Sequence, residues 1–516
     1  MIGRLHPAAH AAIDPQRAAI VDAATGEVRT YSDLAWRSMR IAQLMQGAGL
    51  GVGDHVAIMA ANEAVFLEVC WAALRSGLYL STINVSLTGT EAAYIVADSG
   101  ARAVVIDARY ADVAGEIMRE RAGALSAVWT LNGSLPGCVE LDVAVAAAAD
   151  VPIAETEGSL MLYSSGTTGR PKGIIRPLSG LPAGTSNPMA AFMQRLEMDE
   201  SIVYLCPAPL HHAAPIGYSM TTQRVGGTVV LMDHFEPEAM LAAIERYRIT
   251  HVQLVPTMFV RLLKLAPEVR ARYDLSSLRR VVHAAAPCPP DVKRAMIEWW
   301  GPIVDEYYSG TEGIGITYIT SPEWLAHPGS VGQPILGEVH ILDESGGEVQ
   351  PGQIGTVYFS SGQPYTYHGE VAATADRSTA TGWGTLDDVG WVDTDGYLYL
   401  TDRRTYMIVT GGVNIYPKEA EDALITHPAV LDVAVIGIPE AELGEVAHAI
   451  VQLVDPAAAT PALADELVAF CRARLAHFKC PRGVEFTTLL PRQENGKLYK
   501  KALREPYWQG HDSRII

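Results

Sequence analysis

Eleven consecutive residues, Tyr163-Ser164-Ser165-Gly166-Thr167-Thr168-Gly169-Arg170-Pro171-Lys172-Gly173, hold three glycines, four Ser/Thr hydroxyls and one lysine. Glycine lets backbone N–H groups approach an anion closely, hydroxyls add donors, and lysine brings a point charge for phosphoryl oxygens. The spacing is not that of the common phosphate loop, Gly-x-x-x-x-Gly-Lys-Ser/Thr. Two residues separate Gly166 from Gly169, and Gly173 follows Lys172. Alone, such a cluster is also what a polar surface loop looks like. A second segment, Tyr307-Tyr308-Ser309-Gly310-Thr311-Glu312-Gly313, offers a hydroxyl and a carboxylate, and a hard divalent cation takes carboxylate oxygen together with phosphate oxygens. Near the end, Pro491-Arg492-Gln493-Glu494-Asn495-Gly496-Lys497 sets a lysine behind a glycine. A lysine so placed is ordinarily a solubilising charge.

These groups need elements to hold them. Thr30 to Gly49 reads as a helix with its entry and exit, Ser32 and Asp33 at the start and Gly47 and Gly49 at the end. The apolar runs His55–Met59, Leu78–Ile83 and Ala103–Asp107 read as short buried strands, with helices at 64–76 and 91–99 between them. Strands alternating with helices predict parallel α/β units. The glycine-rich segment follows the apolar Ser159–Leu162 and is expected at a strand's carboxyl end, where open α/β sheets bind ligands. A second α/β run follows: strands at 202–205, 228–232, 250–255 and 280–287, and a helix at 237–247. The Tyr307–Gly313 segment reads as a strand, starting at Ile303-Val304, that enters a loop. From Gly332 to Ser360, short strands with Gly/Pro turns predict a small β subdomain. Beyond Asp402-Arg403-Arg404 comes a compact α+β pattern of about 110 residues, enough for a small domain. The hinge is expected between Arg403 and Tyr406.

The chain of 516 residues is too long for one ordinary core. A net charge of −19 argues against nucleic acid as the main partner and against a broadly basic face for anionic lipid. The six cysteines form no Cys-x-x-Cys pair and no zinc-type spacing with histidine. The first residues lack the apolar core of a signal peptide, and no apolar run approaches the roughly 18 residues of a membrane span. A cytoplasmic protein without an integral membrane segment is the expectation.

In order and composition these segments resemble the adenylate-forming superfamily of acyl-CoA synthetases, adenylation domains and luciferases. The resemblance implies an α/β fold: a large N-terminal domain (two α/β subdomains plus a small β subdomain), residues 1–402, and a mobile small α+β C-terminal domain, 403–516. It implies that Ser164, Ser165, Gly166, Thr167, Thr168, Gly169 and Lys172 form the nucleotide loop. Tyr308 would stack on adenine, flanked by Glu306, Tyr307 and Ser309. Thr311 would bond the α-phosphate and Glu312 would hold Mg²⁺. Ser309 stands where the family has Gly, with Gly310 one place later, which leaves the turn geometry open. The segment Gly382-Trp383-Gly384-Thr385-Leu386-Asp387-Asp388-Val389-Gly390 aligns Asp388 with the ribose-binding carboxylate. Because Asp387 stands where Gly is expected, the two aspartates could exchange roles. Arg403 would reach ribose or phosphate, Thr405 would be the hinge residue, and Ala285, Ala286 and Pro287 would run along the adenine and acyl pocket.

The same resemblance makes Lys497 the lysine that orients the acid and offsets charge on the α-phosphoryl group. His212, in Pro209-Leu210-His211-His212, would gate the acid pocket or contact the carboxylate. Gly411 and Gly412 would let a slim pantetheine arm pass in the second half-reaction. The small apolar positions Ala213, Ala214, Pro215, Ile216, Ala284, Ala285 and Ala286 suggest a roomy hydrophobic pocket. The implied activity is an ATP-dependent acid–CoA ligase that uses ATP, Mg²⁺ and CoA on a fatty, aryl or steroid side-chain acid. Two alternatives stay open: an enzyme loading a carrier protein, and a non-catalytic acyl- or nucleotide-binding protein. A homodimer is also left open.

Overall fold

Helix Tyr31–Gly47 begins one residue after the expected Thr30, and its cap is Thr30 itself. The Thr30 hydroxyl accepts from the Asp33 N–H at 3.1 Å, and the Asp33 carboxylate accepts from the Thr30 N–H at 2.9 Å. This reciprocal box satisfies N–H groups that the first turn leaves without partners. Thr88 and Glu91 open helix Gly89–Asp98 in the same way. The structure, a computed structural model, describes residues 3–149, 151–164, 171–185, 190–360, 362, 365–370, 374, 377–403, 406–410, 413–440, 442–492 and 498–509.

Six parallel strands form the first sheet among these residues, in the order Val139–Glu140, Ala127–Leu131, Ala101–Asp107, His55–Met59, Tyr79–Thr82, Ser159–Leu160. Its central strands are apolar and buried, as parallel strands covered on both faces must be. The second sheet has thirteen strands. Its parallel half joins Ala18–Asp22, Thr228–Leu231, Val203–Cys206, His251–Leu254, Arg280–His283 and Val304–Ser309. Beyond Val304–Ser309 the neighbours turn antiparallel. The expected β subdomain is hydrogen-bonded onto this end: Ser330 and Gly332 on strand Ser330–Leu336 pair with Tyr399 and Leu398 on Leu398–Arg403.

One expectation is corrected. The glycine-rich segment does not leave a parallel strand. It joins Leu162–Ser164 to Lys172–Ile175, antiparallel neighbours in a separate three-stranded sheet completed by Thr366–Tyr367. No helix-forming stretch follows Lys172, so the chain returns as a strand. The segment expected as a strand entering a loop is one: Tyr307, Tyr308 and Ser309 end strand Val304–Ser309, consistent with the strand preference of tyrosine, and the chain leaves it at Gly310.

A further sheet of five strands includes the long hairpin Val430–Glu440 and Gly444–Leu453, with Val484–Thr487 parallel to the latter. Ile408, Leu424, Val435, Val451 and Leu467 belong to an apolar core of its own. Among the described residues no helix is long and apolar enough to cross a membrane.

Helix Ala213–Arg224 ends on a buried ion pair. Arg224 Nη2 lies 2.5 Å from Glu157 Oε1, the Gly184 N–H donates to Glu157 Oε2 at 2.6 Å, and the Arg224 guanidinium lies 5.1 Å from the Trp71 ring. Removing one partner of a buried pair leaves an uncompensated charge. Arg224→Leu should therefore destabilise the protein by about 3–5 kcal/mol, read as a lower urea midpoint. An unchanged midpoint would show that Glu157 finds solvent.

Candidate active site

Strand Lys172–Ile175 carries the first functional group. Residues two apart share a face of a strand, so Lys172 and Ile174 point the same way. Lys172 Nζ lies 2.7 Å from Glu370 Oε2 and 5.4 Å from the centre of the Tyr367 ring. The base of the segment is held from helix Gly89–Asp98: the Tyr163 hydroxyl donates to Asp98 Oδ2 at 2.7 Å, and the Tyr94 hydroxyl donates to the Pro171 carbonyl at 3.2 Å. Ser165, Gly166, Thr167, Thr168 and Gly169 lie outside the described residues, as does the side chain of Ser164.

Opposite Lys172, strand Val304–Ser309 delivers Gly310, Thr311 and Glu312. A Cβ at Gly310 would meet Leu386 Cδ2 at 2.5 Å and Glu312 Oε2 at 2.8 Å, so the glycine leaves room for both side chains. Glu312 is buried, and its Oε1 accepts the Tyr367 hydroxyl at 2.8 Å. Arg176 Nη2 donates to the Thr311 carbonyl at 2.8 Å. Burial holds the Arg176 guanidinium below its ordinary pKa, against the pull of Glu312. A carboxylate beside a hydroxyl and across from a lysine fits Mg²⁺, which takes one or two protein carboxylates and shares substrate phosphates.

The Tyr308 hydroxyl donates to Asp388 Oδ2 at 2.6 Å, which joins the two segments. Asp387 turns the other way, its Oδ2 lying 3.1 Å from Arg377 Nη2. Its φ is +63°, the left-handed region that glycine fills without strain and that aspartate tolerates better than most residues. Position 387 therefore keeps the backbone of a glycine. Arg403 pairs in register with Asp388, its side chain outside the described set. Glu306 meets Lys293 Nζ at 2.7 Å, a fully buried cation. Burial pushes the Glu306 carboxyl above the ordinary range against that pull. Lys293 already donates to this carboxyl group.

His212 precedes helix Ala213–Arg224. Asn62 fixes the loop that leads to it: Nδ2 donates to the carbonyls of Ala208 and Met232 at 2.9 Å, and Oδ1 accepts the Leu210 N–H at 2.8 Å. The His212 ring stands 4.3 Å from that of His211, and its Nε2 has no hydrogen-bond partner among the described residues. Burial, with His211 beside it, holds the His212 imidazole well below its ordinary value of 6.5. Strand Arg280–His283 ends nearby in Ala284 to Pro287, where Ala285 has φ +72°. A non-glycine residue held there is backbone strain of the kind found at ligand sites.

Lys172, Tyr308, Thr311, Glu312, Asp388 and His212 line one cleft of about 2230 Å³. Ala285, Ala286 and Pro287 line it too, with Glu306, Tyr307 and Ser309. Arg492 and Leu498, which form an antiparallel bridge, also reach it. Gly411, Gly412, Thr405 and Lys497 lie outside the described residues. Ala213, Ala214 and Pro215 are at the wall, whereas Ile216 is not; it is fully buried in the core.

Residues 8–366 match the AMP-binding enzyme family, and residues 419–497 match the AMP-binding enzyme C-terminal domain. The chain belongs to the AMP-binding enzyme family. It is 34% identical over 490 residues to feruloyl-CoA synthases of Amycolatopsis and Streptomyces, covering 93% of this chain and 94% of each relative. It is 31% identical to the medium/long-chain fatty-acid–CoA ligase FadD8 of Mycobacterium tuberculosis, covering 94% of this chain and 87% of that one. Among solved structures it resembles the o-succinylbenzoate–CoA synthetase of Bacillus subtilis in complex with its acyl-adenylate intermediate. That likeness has a TM-score of 0.81 at 26% identity and covers 98% of both chains. This AMP-binding enzyme is a ligase of the acyl-CoA synthetase class.

Sequence reasoning missed Tyr367, Glu370, Arg176, Lys293 and Asn62. Each meets a partner outside its own segment, and no local pattern marks it. The uncharged His212 can exchange a hydrogen bond with an acid but adds no positive charge. Between about pH 6 and 8, the KM for the acid should therefore change with pH equally in wild type and His212→Asn. An inflection near 6.5 seen only in wild type would show a charged imidazole.

Proposed function

We propose that this AMP-binding enzyme activates a hydrophobic carboxylic acid (fatty, aryl or steroid side-chain) with ATP and passes the acyl group to CoA. The acid carboxylate attacks the α-phosphorus of ATP, which gives acyl-adenylate and pyrophosphate. The CoA thiolate then attacks the acyl carbon, forming the thioester and releasing AMP. The observation that carries this reading is one cleft with charged groups suited to a nucleotide at one end and an apolar helix face leading away from His212. In this reading Tyr308 faces the adenine, Asp388 the ribose, Lys172 the phosphates and Thr311 the α-phosphate. Mg²⁺, when bound through Glu312, supplies charge to offset the departing pyrophosphate.

Division of labour follows from the small domain, whose boundary we set between residues 402 and 403. Its separate apolar core supports that division. The Arg492–Leu498 bridge at the cleft supports Lys497 acting in the first step. The hairpin Ile408–Thr410 and Val413–Ile415 exposes Val409 and Val413, which supports Gly411 and Gly412 acting after the domain turns. A turn of this kind lets one cleft serve two reactions in sequence.

The helix face along the cleft supports a hydrophobic acid. Ala213, Gly217 and Thr221 lie at helical spacing on the wall, and a Cβ at Gly217 would meet nothing within 4 Å. Glycine inside a helix costs about 0.5–1 kcal/mol relative to alanine, and here it leaves room for the acyl group rather than for a neighbouring helix.

Three measurements test the reading. AMP and pyrophosphate release from Mg·ATP across fatty, aryl and steroid acids should require one acid class and CoA. Acid-dependent pyrophosphate that CoA does not accelerate would move the acceptor to a carrier protein, and tight acid binding without turnover would leave a binding protein. Lys497→Ala should lose about 10²–10³-fold in adenylation, as when one group that stabilises transition-state charge is removed, yet still make thioester from supplied acyl-adenylate. Gly217→Leu should shift preference to smaller acids, with the KM for ATP unchanged; an unshifted acid profile would remove this helix face from the pocket.

A further inference from the structure

The register that aims Lys172 also fixes a residue that the two-step scheme does not use. Tyr367 lies opposite Ile174 on the neighbouring antiparallel strand. Opposite residues of such a pair share a face, as do residues two apart on one strand. Tyr367, Ile174 and Lys172 therefore stand on one side of the three-stranded sheet. Tyr367 is 2% exposed. Two cations approach its ring, Lys172 Nζ at 5.4 Å and Arg377 Cζ at 5.9 Å from the centroid, and its hydroxyl donates to Glu312 Oε1.

We propose that Tyr367 is a positioning residue, setting Glu312 for a divalent cation and Lys172 for nucleotide phosphates. This rests on the ligase reading above. A buried phenol needs an acceptor, so the hydroxyl and Glu312 fix one another. The bond to Oε1 sets the plane of the carboxylate and leaves Oε2 for a metal, as outer partners of metal-binding groups do. The ring acts differently on Lys172. It attracts the ammonium without an anion, and so does not compete with phosphate for the charge. Glu370 also holds that ammonium, at 2.7 Å, but its carboxylate is half exposed and is an anionic competitor. Arg377, on the same ring, extends the arrangement to Asp387 beside the Asp388–Tyr308 pair. One aromatic side chain thus ties together the segments that carry Lys172, Glu312 and Asp388.

The two contacts separate in two variants. Tyr367→Phe keeps the ring and removes the hydroxyl; Tyr367→Leu removes both. ATP binding is measured by titration calorimetry at a series of Mg²⁺ concentrations and in EDTA, with the KM for the acid measured alongside. For Tyr367→Phe, the Mg²⁺ needed for half of the gain in ATP affinity should rise about tenfold, the low end for loss of an outer partner. Its ATP affinity in EDTA and its KM for the acid should match wild type. Tyr367→Leu should also weaken ATP in EDTA. A Phe variant with the wild-type Mg²⁺ dependence would overturn the role at Glu312. A Leu variant that equals Phe in EDTA would overturn the role at Lys172. Equal losses in all three readouts would reduce Tyr367 to packing. Wild-type protein that binds no ATP at all would overturn the ligase reading, and this proposal with it.

Discussion

The pairing of Ile174 with Tyr367 is the constraint on which the site depends. A one-residue slip in an antiparallel pair sends every side chain to the opposite face. Here it would turn Tyr367 away from both Glu312 and Lys172. The pairing is guarded by burial, since Ile174 and Tyr367 are both almost wholly covered. It is also guarded from the far side, where Tyr163 and Pro171 are tied to helix Gly89–Asp98. The small three-stranded sheet is thus tied to helix Gly89–Asp98 on one side and to Glu312 on the other. It carries little of the apolar core, and its role is to bring charges from distant parts of the chain to one cleft.

Local signals were legible in the sequence. Strand His55–Met59, helix Pro237–Tyr247 and strand Val484–Thr487 lie where their apolar patterns put them, because period and breakers act over a few residues. The strand order was not legible, because pairing is set by contacts between distant segments. The glycine-rich segment stood out by its composition, yet its setting was misjudged. A glycine-rich turn after an apolar run looks the same whether a helix or a strand follows. The cap of the first long helix moved to Thr30 for a smaller reason: three polar residues compete there, and Asp33 reaches Thr30.

The site shows the same limit. Residues that belong to compact motifs, such as Thr311, Glu312 and Asp388, meet at the cleft wall. Those that orient them come from elsewhere, and nothing near Asn62 or Lys293 announces its task. Ile216 shows why a list of small apolar residues overshoots: within one helix, Ala213 and Gly217 face the cleft while Ile216 faces the core. One departure from the family pattern has a backbone explanation: Asp387 takes the left-handed conformation a glycine would have taken.

Arg492 and Asp432 add a last consequence. Arg492 meets the Asp432 carboxylate twice, at 2.5 and 2.7 Å, and Asp432 belongs to the strand Val430–Glu440. With the Arg492–Leu498 bridge, this ties both ends of residues 493–497 to the sheet of the small domain. A tether that is closed at its base has already lost most of the entropy that an open one would lose on each encounter. For Arg492 and Leu498, which flank residues 493–497, the cost of ordering is therefore met once, during folding, as part of that sheet.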